Sequence, residues 1–113
     1  MNKPIIGCDI VDIRRFKKLS YLKNKTFYRR WFTKAEIKDC LSKKNSYSHF
    51  ASKFATKEAV IKASQGKLSI LDIEIINIKG CQKIKLKRKD FDLIASVSYN
   101  KDYAIATVFG CPK

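Results

Sequence analysis

The chain has 113 residues, 45% of them apolar, and carries 25 Lys and Arg against 10 Asp and Glu for a formal charge of +15. That length supports one hydrophobic core and therefore a single domain over residues 1–113, and the apolar content separates it from disordered chains, which pair high charge with low hydrophobicity. Such a charge points to anionic partners: nucleic acid, a membrane surface, an acidic protein or a phosphorylated small molecule.

Other classes fall away on particular residues. Cys8, Cys40, Cys81 and Cys111 are widely spaced without a C-x-x-C pair, and His49 is the only histidine. A zinc ribbon or finger is therefore not expected, and neither is a Ser-His-Asp hydrolase, since the G-x-S-x-G motif is also missing. Asp9 interrupts the first apolar run, and no segment approaches the roughly 18 apolar residues of a membrane span. The expectation is a cytoplasmic protein with reduced cysteines packed in its interior.

The predicted elements begin with a strand over 4–12, β-rich with carboxylates set among apolar residues. Asp12 can cap a helix over DIRRFKKLSYLK, and TFYRRWF forms a second short one. Thr33 and Glu36 make a capping box for a helix reaching about Leu41. The longest helix is predicted over 46–65, ending near Gly66. Beyond it, alternation predicts strands over 72–79, 83–88, 93–100 and 103–110, the last two joined through Asn100-Lys101-Asp102 as an antiparallel hairpin. Helices first and strands later give an α+β fold in which the long helix, with the shorter ones, packs on a mostly antiparallel sheet.

Three features carry chemistry. Asp9 lies in Ile5-Ile6-Gly7-Cys8-Asp9-Ile10-Val11, where an unpaired carboxylate is costly to bury, so it is either satisfied by backbone N–H groups or an internal lysine, or it binds a cation. On the long helix, i, i+4 spacing aligns Phe50, Phe54, Glu58 and Lys62 in a stripe that turns from aromatic to charged. Glu58 and Lys62 are either an ordinary helix ion pair or part of a site. With Asp9, Glu58 supplies two carboxylates for a hard divalent ion that completes its shell with water and phosphate oxygens. Lys62 then meets the same phosphate, with Lys53 and Lys57 on neighbouring faces and Lys43 and Lys44 preceding the helix. The alternative is a solvated basic face. Finally, residues 13–35 hold nine basic residues and no acid, interleaved with Phe16, Phe27, Trp31 and Phe32. This amphipathic basic surface suits an acidic helix, a phosphate backbone or anionic lipid.

GCDIVDIRRF, FTKAEIKDC, FASKFATKEAVIKA, DIEI and SVSYNKDYAIATV, in that order, closely resemble the holo-(acyl-carrier-protein) synthases, the small bacterial 4'-phosphopantetheinyl transferases. The resemblance spans nearly the whole chain. It implies transfer of the 4'-phosphopantetheine arm from coenzyme A to a serine of apo acyl carrier protein, with release of 3',5'-ADP and magnesium as the cation. Asp9 and Glu58 fall on the metal-binding positions and Lys62 on the phosphate-contacting lysine, so Glu58 and Lys62 are the implied catalytic residues, with Glu58 or a metal-bound water taking the serine proton. Lys53, Lys57, Lys62 and Gly66 are assigned to coenzyme binding. Arg15 and Arg30 match carrier-contacting positions, with Arg14 and Lys18 beside them. A homotrimer is implied, with neither membrane nor nucleic acid as partner. An inactive carrier-binding relative and a nucleic-acid-binding domain are the alternatives. Three departures stand out: Ser96-Val97-Ser98-Tyr99 ends in tyrosine where relatives commonly carry histidine, the glycine-rich turn after the long helix shortens to Ser64-Gln65-Gly66-Lys67, and Lys53 replaces a common arginine.

Overall fold

A computed structural model describes residues 3–88 and 90–113. Strand β1 (Ile5–Asp12) leads directly into α1 (Ile13–Lys17), α2 (Lys25–Trp31), α3 (Lys34–Leu41) and α4 (Ser46–Ala63). A short 3-10 turn at Ile70–Asp72 precedes β2 (Ile73–Ile78), β3 (Cys81–Leu86), β4 (Phe91–Tyr99) and β5 (Tyr103–Pro112). All described strand pairs are antiparallel, and they form two sheets, β1-β5-β4 and the β2-β3 hairpin. The α+β expectation holds, with the predicted single sheet divided in two.

Local chemistry explains several boundaries. Asp12 caps α1 by accepting from the Arg14 N–H at 2.9 Å. The Thr33 capping box is complete: the Glu36 N–H donates to Thr33 Oγ1 at 3.2 Å, and the Thr33 N–H donates to Glu36 Oε1 at 2.8 Å. In the β4-β5 hairpin Asn100 Oδ1 accepts from the Asp102 and Tyr103 N–H groups. Several boundaries differ from expectation: α4 and β3 end two residues early, β4 starts two residues early, β5 runs two residues longer, and α1 and the start of β3 shift as well. Helix α1 stops at Lys17, and the chain just beyond it is held to α2 by the buried Tyr28 hydroxyl, which donates to the Leu19 carbonyl at 2.6 Å. Strand β3 starts two residues early, because Lys79 and Gly80 both adopt positive φ and close a two-residue turn between Ile78 and Cys81.

The core forms where α4 lies across the three-stranded sheet. Ala51, Ala55, Ala59 and Ala63 of the helix, and Ala104, Ala106 and Val108 of β5, are all buried. Small side chains permit close approach, and Gly7 shows how close: a Cβ there would stand 2.2 Å from the Ala59 carbonyl oxygen and 2.8 Å from the Ala63 nitrogen. Aromatic rings from α1, α2 and α4 fill the flank, with Phe50 against Tyr28 and Phe32 at 4.7 and 5.0 Å. Of the cysteines only Cys40 is buried, its thiol pushed up to about 12 by burial; Cys8, Cys81 and Cys111 are exposed free thiols, correcting the expectation of interior packing. No helix among the described residues is long and apolar enough to cross a membrane.

The opposite face of the three-stranded sheet is left uncovered by the described residues. Ile6, Phe109 and Ile94 stand in one row across the strands, with Ile10 and Ile105 in another, and all five are exposed, Ile6 at 67% and Ile94 at 69%.

Candidate active site

The close contact of α4 with β1 brings together the carboxylates singled out in the sequence. In β1 the odd residues face the helix, so Asp9 points the same way as Gly7 and Val11. On α4 the Phe50-Phe54-Glu58-Lys62 stripe passes from buried through half-buried to exposed, so the charged half emerges at the rim beside Asp9. Lys62 Nζ donates to Asp9 Oδ1 at 2.8 Å and to the Cys8 carbonyl at 3.2 Å. Asp9 is therefore paired with a lysine, but that lysine, Lys62, is exposed at the rim rather than internal. The ordinary helix pair is not formed: among the described residues Lys62 is ion-paired to Asp9, while Glu58 stands without a salt bridge.

The electrostatics follow from that arrangement. Burial raises the Glu58 carboxyl above its ordinary range and the charge of Asp9 raises it further, with Lys62 and Arg15 opposing. The hydrogen bond to Asp9 holds the Lys62 ammonium above its usual value. Two carboxylates thus compete at one rim, and the one without a paired cation takes up a proton more readily.

Comparison with known proteins decides what this arrangement belongs to. Residues 5–108 match the family model of the 4'-phosphopantetheinyl transferase superfamily. The chain belongs to that superfamily. This transferase is 37% identical over 106 residues to the holo-(acyl-carrier-protein) synthase of Thermodesulfovibrio yellowstonii, covering 91% of this chain and 94% of that one. It is 39% identical over 119 residues to the Borreliella afzelii synthase, with the same coverage. Among solved structures, the Helicobacter pylori holo-(acyl-carrier-protein) synthase in complex with coenzyme A is similar with a TM-score of 0.79 and 37% identity, over 92% of this chain and 97% of that one. A Bacillus anthracis synthase in complex with CoA (3',5'-ADP) gives a TM-score of 0.82 at 28% identity, over 96% of each chain.

Within the transferase fold, several predicted site residues take unexpected places. Lys53 and Lys57 do not stand on accessible faces of α4. Both side chains are 1% exposed: Lys57 Nζ pairs with Glu36 Oε1 at 2.6 Å and donates to the Trp31 carbonyl at 2.9 Å, while Lys53 Nζ pairs with Asp39 Oδ2 at 3.1 Å. The other Glu36 oxygen accepts from the Ile75 N–H at 2.7 Å, so these ions tie α3, α4 and β2 together. Sequence spacing could not show this, because their carboxylate partners lie on α3 and come within reach only when the helices pack. As phosphate-binding groups Lys53 and Lys57 are thereby corrected to interior ion pairs. Gly66 lies at the end of α4 with φ +78, following Gln65 at φ +54, and its N–H closes the helix on the Ile61 carbonyl at 3.0 Å. It is exposed, one turn beyond Lys62.

The basic residues also divide. Arg14 is held within the chain by a two-pronged pair with Asp12, 2.9 Å for each bond, and its guanidinium lies 5.7 Å from the centre of the Tyr103 ring. Arg15, Lys18 and Arg30 are exposed and make no ion pair among the described residues.

One recess was not anticipated. Lys43, His49, Ser52, Asn77, Gln82 and Tyr99 line a cavity of about 390 Å³ between α4, the β2-β3 hairpin and β4. The His49 and Tyr99 rings meet edge to face at 5.9 Å, and burial lowers the His49 pKa, helped by the charge of Lys43. Neither a lone histidine nor the tyrosine at the end of Ser96-Val97-Ser98-Tyr99 signals such a pairing, since the two are distant in sequence.

Proposed function

We propose that this protein transfers 4'-phosphopantetheine from coenzyme A to the serine hydroxyl of an apo acyl carrier protein, releasing 3',5'-ADP. The observation that carries this reading is the convergence of Asp9, Glu58 and Lys62 at the α4-β1 rim, in a chain of this family. The serine oxygen attacks the β-phosphorus of the coenzyme pyrophosphate, the bond from that phosphorus to the bridging oxygen breaks, and 3',5'-ADP departs with the bonding electrons. Glu58, whose carboxyl titrates above the ordinary range, takes the serine proton on one oxygen. Lys62 is exposed and, from its ion pair with Asp9, presents its ammonium to the phosphates.

The residues fit a magnesium ion. Asp9 and Glu58 provide two carboxylates whose mutual repulsion is incompletely balanced, and magnesium commonly takes one or two carboxylates and leaves its other positions to water and substrate phosphate. Bound there, it would neutralise charge on the pyrophosphate. The recess of His49, Asn77, Gln82 and Tyr99 offers rings, amides and the nearby Lys43 ammonium to the nucleotide end of the coenzyme. Exposed Arg15, Lys18 and Arg30 face the acidic carrier.

The uncovered apolar sheet face supports a homotrimer, since exposed apolar patches mark association surfaces. A cytoplasmic location agrees with three exposed thiols that remain unpaired. Incubation with coenzyme A, magnesium and apo carrier tests the function: the carrier should gain the mass of the phosphopantetheine arm, and chelation should abolish the gain. Binding of the carrier without any mass gain would overturn the reading in favour of a carrier-binding relative.

A further inference from the structure

A second surface, sharing no residue with the Asp9-Glu58-Lys62 cluster, has the character of a docking groove. It is an open cleft of about 830 Å³ between α2, α3 and the 3-10 turn at Ile70–Asp72. Phe32, Ile37, Leu41 and Leu71 form its apolar part, and Leu41 and Leu71 remain 45% and 59% exposed. Arg29, Lys34, Lys38 and Lys87 edge it, no carboxylate lines it, and none of these four cations makes an ion pair among the described residues. Arg29 lies about 100° around α2 from Arg30, so the two arginines serve different faces of one helix.

The spacing identifies the occupant. On α3, Ile37 and Leu41 are four residues apart, and so are Lys34 and Lys38, giving an apolar row beside a basic row along one helix. The complement is another helix with an apolar row beside an acidic row. A single-headed anionic lipid fits less well, because its charge sits at one end, whereas these cations come from three separate parts of the chain. We infer that this groove binds an acidic amphipathic helix of a partner protein, laid along α3, at a site separate from the transferase centre. Helix-in-groove recognition uses such anchors at i and i+4.

The test uses a fluorescein-labelled synthetic helix of about three turns, with a leucine row beside a glutamate row, and a scrambled control of identical composition. Anisotropy should show the ordered peptide binding the full-length protein about tenfold more tightly than the scramble, and Lys38→Glu and Leu71→Asp should each weaken it about tenfold. Both positions are exposed, so the fold tolerates the changes and transfer to the carrier stays unaltered. Amide chemical shifts should move at Lys34–Leu41, and Arg15→Ala should leave peptide affinity unchanged. Equal affinity for the scramble would reduce the groove to bulk charge and overturn the inference. So would full affinity in both groove variants, or binding of laurate or anionic vesicles at the groove where the peptide fails to bind.

Discussion

Lys62 reaches across from α4 to Asp9 of β1 at 2.8 Å, although Glu58 stands one turn before it on its own helix. The consequence is a carboxylate pair in which one member is neutralised and the other is left with a raised pKa.

Lys62 and Lys57 should fail in different ways when truncated. Lys62 is exposed and Lys57 is sealed against Glu36, so Lys62→Ala should lose transfer while keeping its melting temperature. Lys57→Ala leaves the buried Glu36 charge unpaired, a loss of about 3–5 kcal/mol. Chemical denaturation alongside carrier modification measures both; equal loss of turnover with unchanged stability in each would contradict the structure.

Glu58 should titrate lower in Asp9→Asn. Burial still raises its carboxyl, but the charge that raises it further is gone and Lys62 loses its partner. Carboxyl-carbon NMR follows this directly. In the native chain the sign of the linkage is set by the upward shift: a protonated Glu58 is favoured in the fold, and that contribution is lost as pH rises through its raised pKa. The proposed magnesium ion would bind the ionised form, so its affinity should climb over that same interval above the usual carboxylate range, and the climb should move to lower pH in Asp9→Asn.

Gly7→Ala should damage stability and transfer together. A methyl group at that position overlaps the Ala59 carbonyl and the Ala63 nitrogen, both backbone atoms, so α4 must move away from β1. Overpacking of this kind costs about 1–3 kcal/mol. The same displacement separates Lys62 from Asp9. A thermal melt and a transfer assay on one preparation check the coupled loss; a variant with native stability and native turnover would show that the helix is not seated as described.

Phe109→Glu should dissociate the proposed trimer. Phe109 lies between Ile6 and Ile94 in the exposed apolar row. Sedimentation should give three times the chain mass for the native protein and a lower mass for the variant. An unchanged mass would place the association surface elsewhere.

Much of the fold is written in short-range signals. The Thr33-Glu36 capping box, the Asn100 turn and the alternation after Gly66 identify their elements because each depends on residues a few positions apart. The carboxylate pair was legible for a related reason: an acid inside an apolar strand and a stripe that turns charged are both anomalies of periodicity. Other features depend on partners remote in sequence. The segment after α1 is pinned by the Tyr28 hydroxyl on the Leu19 carbonyl, and the His49-Tyr99 recess needs α4 and β4 side by side.

The sequence by itself determined the α+β class and the family and singled out Asp9, Glu58 and Lys62, since periodicity and local motif carry that information along the chain. Only the tertiary structure decided where the +15 charge goes. Packing α3 against α4 draws Lys53 and Lys57 inside to meet Asp39 and Glu36, where low dielectric favours paired ions, and leaves Lys62 as the member of that helix trio exposed at the site. The same packing opens the basic groove along α3, which linear spacing could not reveal because its walls come from separate parts of the chain.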